Sequence, residues 1–114
     1  MRTYIIDYAE DMKYIKDKWI VHDKRAKSGV YYGFETKTDA LKFAYNILMK
    51  KYQSKKDHNI MGLLKLTKMP YDPKKPIEWD IGWHNGYPTY YSNDYWAAGF
   101  YRIKSDGSVK LIDF

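Results

Sequence analysis

This chain contains no cysteine, so it forms no disulfide, binds no metal through thiolate and offers no thiol nucleophile. Its three histidines, His22, His58 and His84, are scattered and lack the spacing that gathers imidazoles around a metal. There is no Gly-x-Ser-x-Gly elbow, no His-x-x-x-His pair and no glycine-rich phosphate loop. No stretch approaches the ~20 apolar residues of a membrane-crossing helix. The opening run Met1-Arg2-Thr3-Tyr4-Ile5-Ile6-Asp7 reaches a charge after three hydrophobic residues, too soon for a secretory leader. These absences predict a cytoplasmic protein without membrane association, metal, cofactor or enzymatic activity.

What is present is enough for one folded unit. The 114 residues, 45% of them hydrophobic, match a single domain with a single core over residues 1–114. The formal charge of +6 is unevenly placed. Lys50, Lys51, Lys55, Lys56, Lys65, Lys68, Lys74 and Lys75 face only Asp57 and Asp72 in the same stretch, so one quarter of the chain holds the whole excess. Such a field attracts phosphate backbones, acidic proteins or anionic membranes, although a solvated lysine-rich surface accounts for it equally well.

The periodicity predicts an α+β fold: a mostly antiparallel, twisted sheet of five to six strands with one main helix packed on one face. Trp19 to Lys24 and Val30 to Glu35 read as strands joined by a polar turn, and Thr3 to Tyr8 is an ambiguous third. Thr36 and Asp39 have N-terminal capping spacing and start a helix over about residues 37–54. Its apolar stripe, Leu41, Ala44, Tyr45, Leu48 and Tyr52, is widened by Ala40, Phe43 and Ile47, which predicts deep embedding. Ile60 to Thr67 reads as a strand, and Met69 to Pro76 as a proline-stiffened loop.

Two hairpins fix the C-terminal register. Asn85-Gly86 is a two-residue type I′ signal that sets Trp79, Ile81, Trp83 and Tyr90 on the core face and leaves Tyr87 and Tyr91 outside. Pro88 cannot donate to a ladder, which predicts an edge strand. At Ser105-Asp106-Gly107, a three-residue loop with Gly107 left-handed puts Tyr101, Ile103, Val109 and Leu111 on one face. Arg102, Lys104 and Lys110 then line the solvent side.

Aromatic density is the most unusual property. Trp79, Trp83, Tyr87, Tyr90, Tyr91, Tyr95, Trp96, Phe100 and Tyr101 fall within one stretch of the chain. The core absorbs Trp79, Trp83, Tyr90 and Tyr101, while Tyr87 and Tyr91 lie outside and Tyr95, Trp96 and Phe100 have no assigned place. Tyr87, Tyr91, Tyr95 and Trp96 are the binding candidates. Rings interleaved with cations also form stacking platforms for single strands. Asp80 and His84 share one strand face, but four residues of strand hold them roughly 13 Å apart, too far for a dyad.

In size and composition the chain resembles the small accessory proteins of low-GC bacteria and their phages, a class that includes inhibitors of host nucleases such as anti-CRISPR proteins. That resemblance carries no functional residue over. The combined reading is a non-enzymatic binding protein for an anionic macromolecular target, either an acidic protein surface or a nucleic-acid–protein complex. Inhibition of a nucleic-acid-handling machine is one concrete form. The partner-binding set is Lys50, Lys51, Lys55, Lys56, Lys74, Lys75, Arg102, Lys104, Lys110, Tyr87, Tyr91, Tyr95 and Trp96. Direct, sequence-independent nucleic-acid binding is the first alternative, and a small-ligand binder or enzyme on the outer face of the 78–91 hairpin is the second.

Overall fold

The computed structural model describes residues 2–5, 19–23, 30–69, 74, 78–92 and 97–113. In chain order the elements are β1 (Arg2–Ile5), β2 (Trp19–Asp23), β3 (Val30–Phe34), α1 (Lys37–Lys51), β4 (Leu64–Lys68), β5 (Glu78–His84), β6 (Tyr87–Ser92), β7 (Gly99–Ile103) and β8 (Val109–Asp113). A 3-10 segment, Gln53–His58, follows the helix. The strands form one sheet in the order β1-β3-β2-β4-β5-β6-β7-β8. Every neighbouring pair is antiparallel. The sheet therefore has more strands than the five to six expected. The segment left ambiguous at Thr3 forms β1, only four residues long and too short for alternation to separate it from extended loop.

The helix begins where the side chain of Thr36 can accept a bond from a free N–H, here that of Asp39 at 3.1 Å. It ends at Lys51, and the Tyr52 N–H bonds back to the Leu48 carbonyl. Ala40, Leu41, Ala44, Ile47 and Leu48 are buried, and Phe43 packs against Tyr32 and Phe34. The broad apolar arc is thus spent on embedding, with each of Leu41, Ile47 and Leu48 contributing about 1.5–3 kcal/mol of burial. The helix touches β2 and β3 on one side and β6 and β7 on the other, so the sheet curls around it.

The helix-bearing inner face holds the core: Val21, Phe34, Leu64, Leu66, Trp79, Ile81, Trp83, Tyr90 and Ile103. The first hairpin has the expected register, with His84 opposite Tyr87, Trp83 opposite Pro88, Ile81 opposite Tyr90 and Asp80 opposite Tyr91. Asn85 and Gly86 both have positive φ, 54° and 81°, as a type I′ turn requires. The strand of Pro88 is not an edge, because β6 lies between β5 and β7. Its ladder with β7 runs from Thr89 to Ser92, so the missing N–H of Pro88 falls outside that ladder and costs no bond.

The second hairpin also follows the three-residue form. Ile103 pairs with Val109 and Tyr101 with Leu111, and Gly107 has φ 87°. Ile103 is fully buried, whereas Val109 and Leu111 are each 38% exposed because β8 is the sheet's last strand and overhangs the core. The predicted Ile60 strand starts later, at Leu64, because residues 60 and 61 leave the sheet plane. The Ile60 carbonyl accepts from the Trp83 N–H at 2.7 Å, and this segment crosses the outer face directly over Gly82. Glu10 to Lys16, and Met69 to Pro76 apart from Met69 and Lys74, lie outside the described residues. Among the described residues no helix is long and apolar enough to cross a membrane.

Candidate functional site

The outer face of β5 to β8 collects side chains that the core does not use. Alternation places Glu78, Asp80, Gly82 and His84 there from β5 and Tyr87, Thr89 and Tyr91 from β6. Pairing with β7 and β8 adds Phe100, Arg102 and Lys110. Tyr87 is 41% exposed and Tyr91 36% exposed, although both sit on an interior strand.

A bulge completes the arrangement. Tyr101 pairs with Leu111, yet Phe100 pairs with Asp113, so β8 carries one extra residue, Ile112. The extra residue turns Asp113 onto the outer face. There its Oδ2 lies 3.2 Å from the Nε2 of His84. The His84 ring stacks on Phe100 at 4.1 Å and 8°, and Phe100 meets the Tyr91 ring at 4.9 Å. Asp80 and His84, expected to be too far apart to act together, indeed have separate partners. Asp80 accepts from Lys65 at 2.8 Å, and Glu78 lies 3.6 Å from the same ammonium. The hydrogen bond from Lys65 to Asp80 raises the Lys65 pKa above its ordinary value.

Met61, Asp80, Tyr91 and Phe100 line a groove of about 280 Å³ on this face. Met61 reaches it because the 60–61 segment crosses Gly82, where a Cβ would stand 2.1 Å from the Ile60 carbonyl oxygen. Beyond the groove the Arg102 guanidinium lies over the Tyr87 ring at 4.2 Å. Lys110 pairs with Arg102 across β7 and β8 and is exposed.

The remaining candidates are distributed elsewhere. Lys50 belongs to the end of α1, and Lys55 and Lys56 belong to the 3-10 segment. Lys51 is committed to the buried carboxylate of Asp23 at 2.8 Å, a bond that raises the Lys51 pKa. Lys104 is exposed at the last turn and Lys74 is exposed. Lys75, Tyr95 and Trp96 lie outside the described residues. The structure therefore brings Tyr87, Tyr91, Arg102 and Lys110 onto one face.

Lys65 and Phe100 belong to the lysine and aromatic clusters of the sequence but not to its binding set, and Met61 and Asp113 carry no sequence signal. A glycine inside a strand pattern, Gly82, is the signal that something approaches that backbone closely. The bulge that re-aims Asp113 has no comparable signature.

Two other clusters serve the fold. Asp23, 1% exposed, also accepts from the Tyr52 hydroxyl at 2.6 Å, and the Tyr52 carbonyl accepts from Trp83 Nε1 at 2.9 Å. The Lys37 ammonium lies 4.8, 5.3 and 5.8 Å from the ring centres of Tyr90, Trp79 and Trp19. Among the described residues no group of histidines and carboxylates is placed to hold a metal.

No family model matches this sequence, and no match is found among curated proteins or solved structures.

Proposed function

We propose that this chain is a binding protein for an anionic macromolecule and that the outer face of β5 to β8 is its working surface. The observation that supports this reading is the exposure of Tyr87 and Tyr91 on an interior strand, with Arg102 and Lys110 beside them. Two rings at i and i+4 there, about 13 Å apart, give a ligand two separate platforms. On this face Glu78, Asp80 and Asp113 stand against Lys65, Arg102 and Lys110, so its formal charge is balanced; Lys65 is held by Glu78 and Asp80, and Arg102 and Lys110 pair across β7 and β8.

Of the anionic targets, a single strand of nucleic acid suits this surface best. Bases stack on exposed rings and on guanidinium planes, while cations follow the phosphates. An acidic protein surface, including that of a nuclease the chain would block, is the competing target.

Capture from a lysate with and without nuclease separates them. The single-strand reading predicts that the recovered material is nuclease-sensitive and is lost with Tyr91→Ala. A protein recovered equally well after nuclease treatment would move the target to an acidic protein.

A further inference from the structure

Resting on the single-strand reading above, the geometry points to a guanine-selective base site in the groove between Met61, Asp80, Tyr91 and Phe100. At about 280 Å³ the groove falls just below the roughly 300–1,000 Å³ of pockets that enclose whole drug-sized ligands, which suits one planar ring system. Tyr91 offers an exposed ring on which a base stacks, and the Met61 thioether supplies a polarizable contact.

Asp80 gives this groove its selectivity. An ionised carboxylate only accepts hydrogen bonds, and its two oxygens can take donors side by side. Lys65 occupies one position on Oδ1, while Oδ2 has no partner among the described residues. Lys65 also offsets the negative charge that would otherwise repel a phosphate. Guanine presents two adjacent donors, N1–H and the N2 amine, to such an acceptor pair. Adenine and cytosine each place one donor beside an acceptor, and thymine flanks its single donor with two carbonyls. Arg102 lies two residues along β7 from Phe100, about 7 Å away, so a base in the groove leaves its phosphates within reach of Arg102 and Lys110.

The test is fluorescence anisotropy on the full chain with end-labelled thymidine hexamers carrying guanine, inosine, adenine or thymine at one central position. The guanine strand is expected to bind about tenfold tighter than the all-thymidine strand, as a bidentate base contact allows, with inosine between them. Asp80→Asn is expected to bring that ratio, measured within the variant, near one, with its circular dichroism matching the parent. The inosine comparison uses the parent protein and stands whether or not the variant folds. Equal binding of all four strands would overturn the guanine site while leaving the binding surface in place. A uniform loss in Asp80→Asn would also overturn it, by making Asp80 a structural residue. Failure to bind any strand would remove both the site and the surface it rests on.

Discussion

Asp23 shows how one residue's environment decides its worth. It sits at the end of β2 with 1% exposure, and its contacts include the Tyr52 hydroxyl at 2.6 Å and the Lys51 ammonium at 2.8 Å. The two bonds differ in kind. Tyr52 is buried and has no water to turn to, whereas the Lys51 side chain is 52% exposed and rehydrates when released. Asp23→Ala is therefore expected to cost about 2–3 kcal/mol, the range for hydrogen bonds to a charged group plus a stranded donor. Lys51→Ala should cost less than about 1 kcal/mol, and urea denaturation compares the two. The same contacts set an alkaline limit. Asp23 raises the pKa of Lys51 and Asp80 raises that of Lys65 above the ordinary 10.5. Their stabilisation is thus fully present below that ordinary value and disappears as pH climbs through the raised folded values. The urea midpoint should fall as pH rises above about 10.5, and fall less in Lys51→Met/Lys65→Met.

At the scale of elements, the outer groove depends on a close backbone approach. A Cβ at Gly82 would meet the Ile60 carbonyl oxygen at 2.1 Å and the Met61 Cα at 2.7 Å, both backbone atoms that cannot swing aside. Gly82→Ala should lower stability by about 1–3 kcal/mol, as overpacking does, and displace Met61 from the groove. Chemical denaturation and the methionine methyl NMR signals report the two effects separately. The hairpins show which parts of this architecture are legible in sequence. Asn85-Gly86 dictates its own register, and one-sided burial of Ile103 selects the three-residue loop at Gly107, so Tyr87, Tyr91, Arg102 and Lys110 could be assigned to the outer face without coordinates. Pro88 misled because its missing donor matters only where a ladder continues, and here the ladder with β7 starts one residue later. The Asp113 contact with His84 was not readable, since a single extra residue in β8 reverses the face of everything after it. Within the lysine run from Lys50 to Lys75, Lys51 and Lys65 form ion pairs with Asp23 and Asp80, partners that the sequence does not reveal because they come from distant strands.

For the whole molecule, one face of the sheet is consumed by the helix and the core, and the outer face of β5 to β8 presents rings and cations to solvent. If that surface holds a single strand, affinity must combine stacking with counterion release. Stacking on a ring is worth about 1–3 kcal/mol per base, so Tyr91→Ala should weaken binding by roughly 5- to 150-fold at any salt concentration. Phosphate contacts act through salt, and Arg102→Ala and Lys110→Ala should each make the dependence of log affinity on log salt shallower by roughly 0.7. The most direct measurement is a salt-resolved titration of a labelled thymidine oligonucleotide against the parent chain and these three variants. The account predicts a salt-independent loss in Tyr91→Ala and flatter salt slopes in the two cation variants. Undetectable binding by the parent, or parent-like affinity in all three variants, would contradict it.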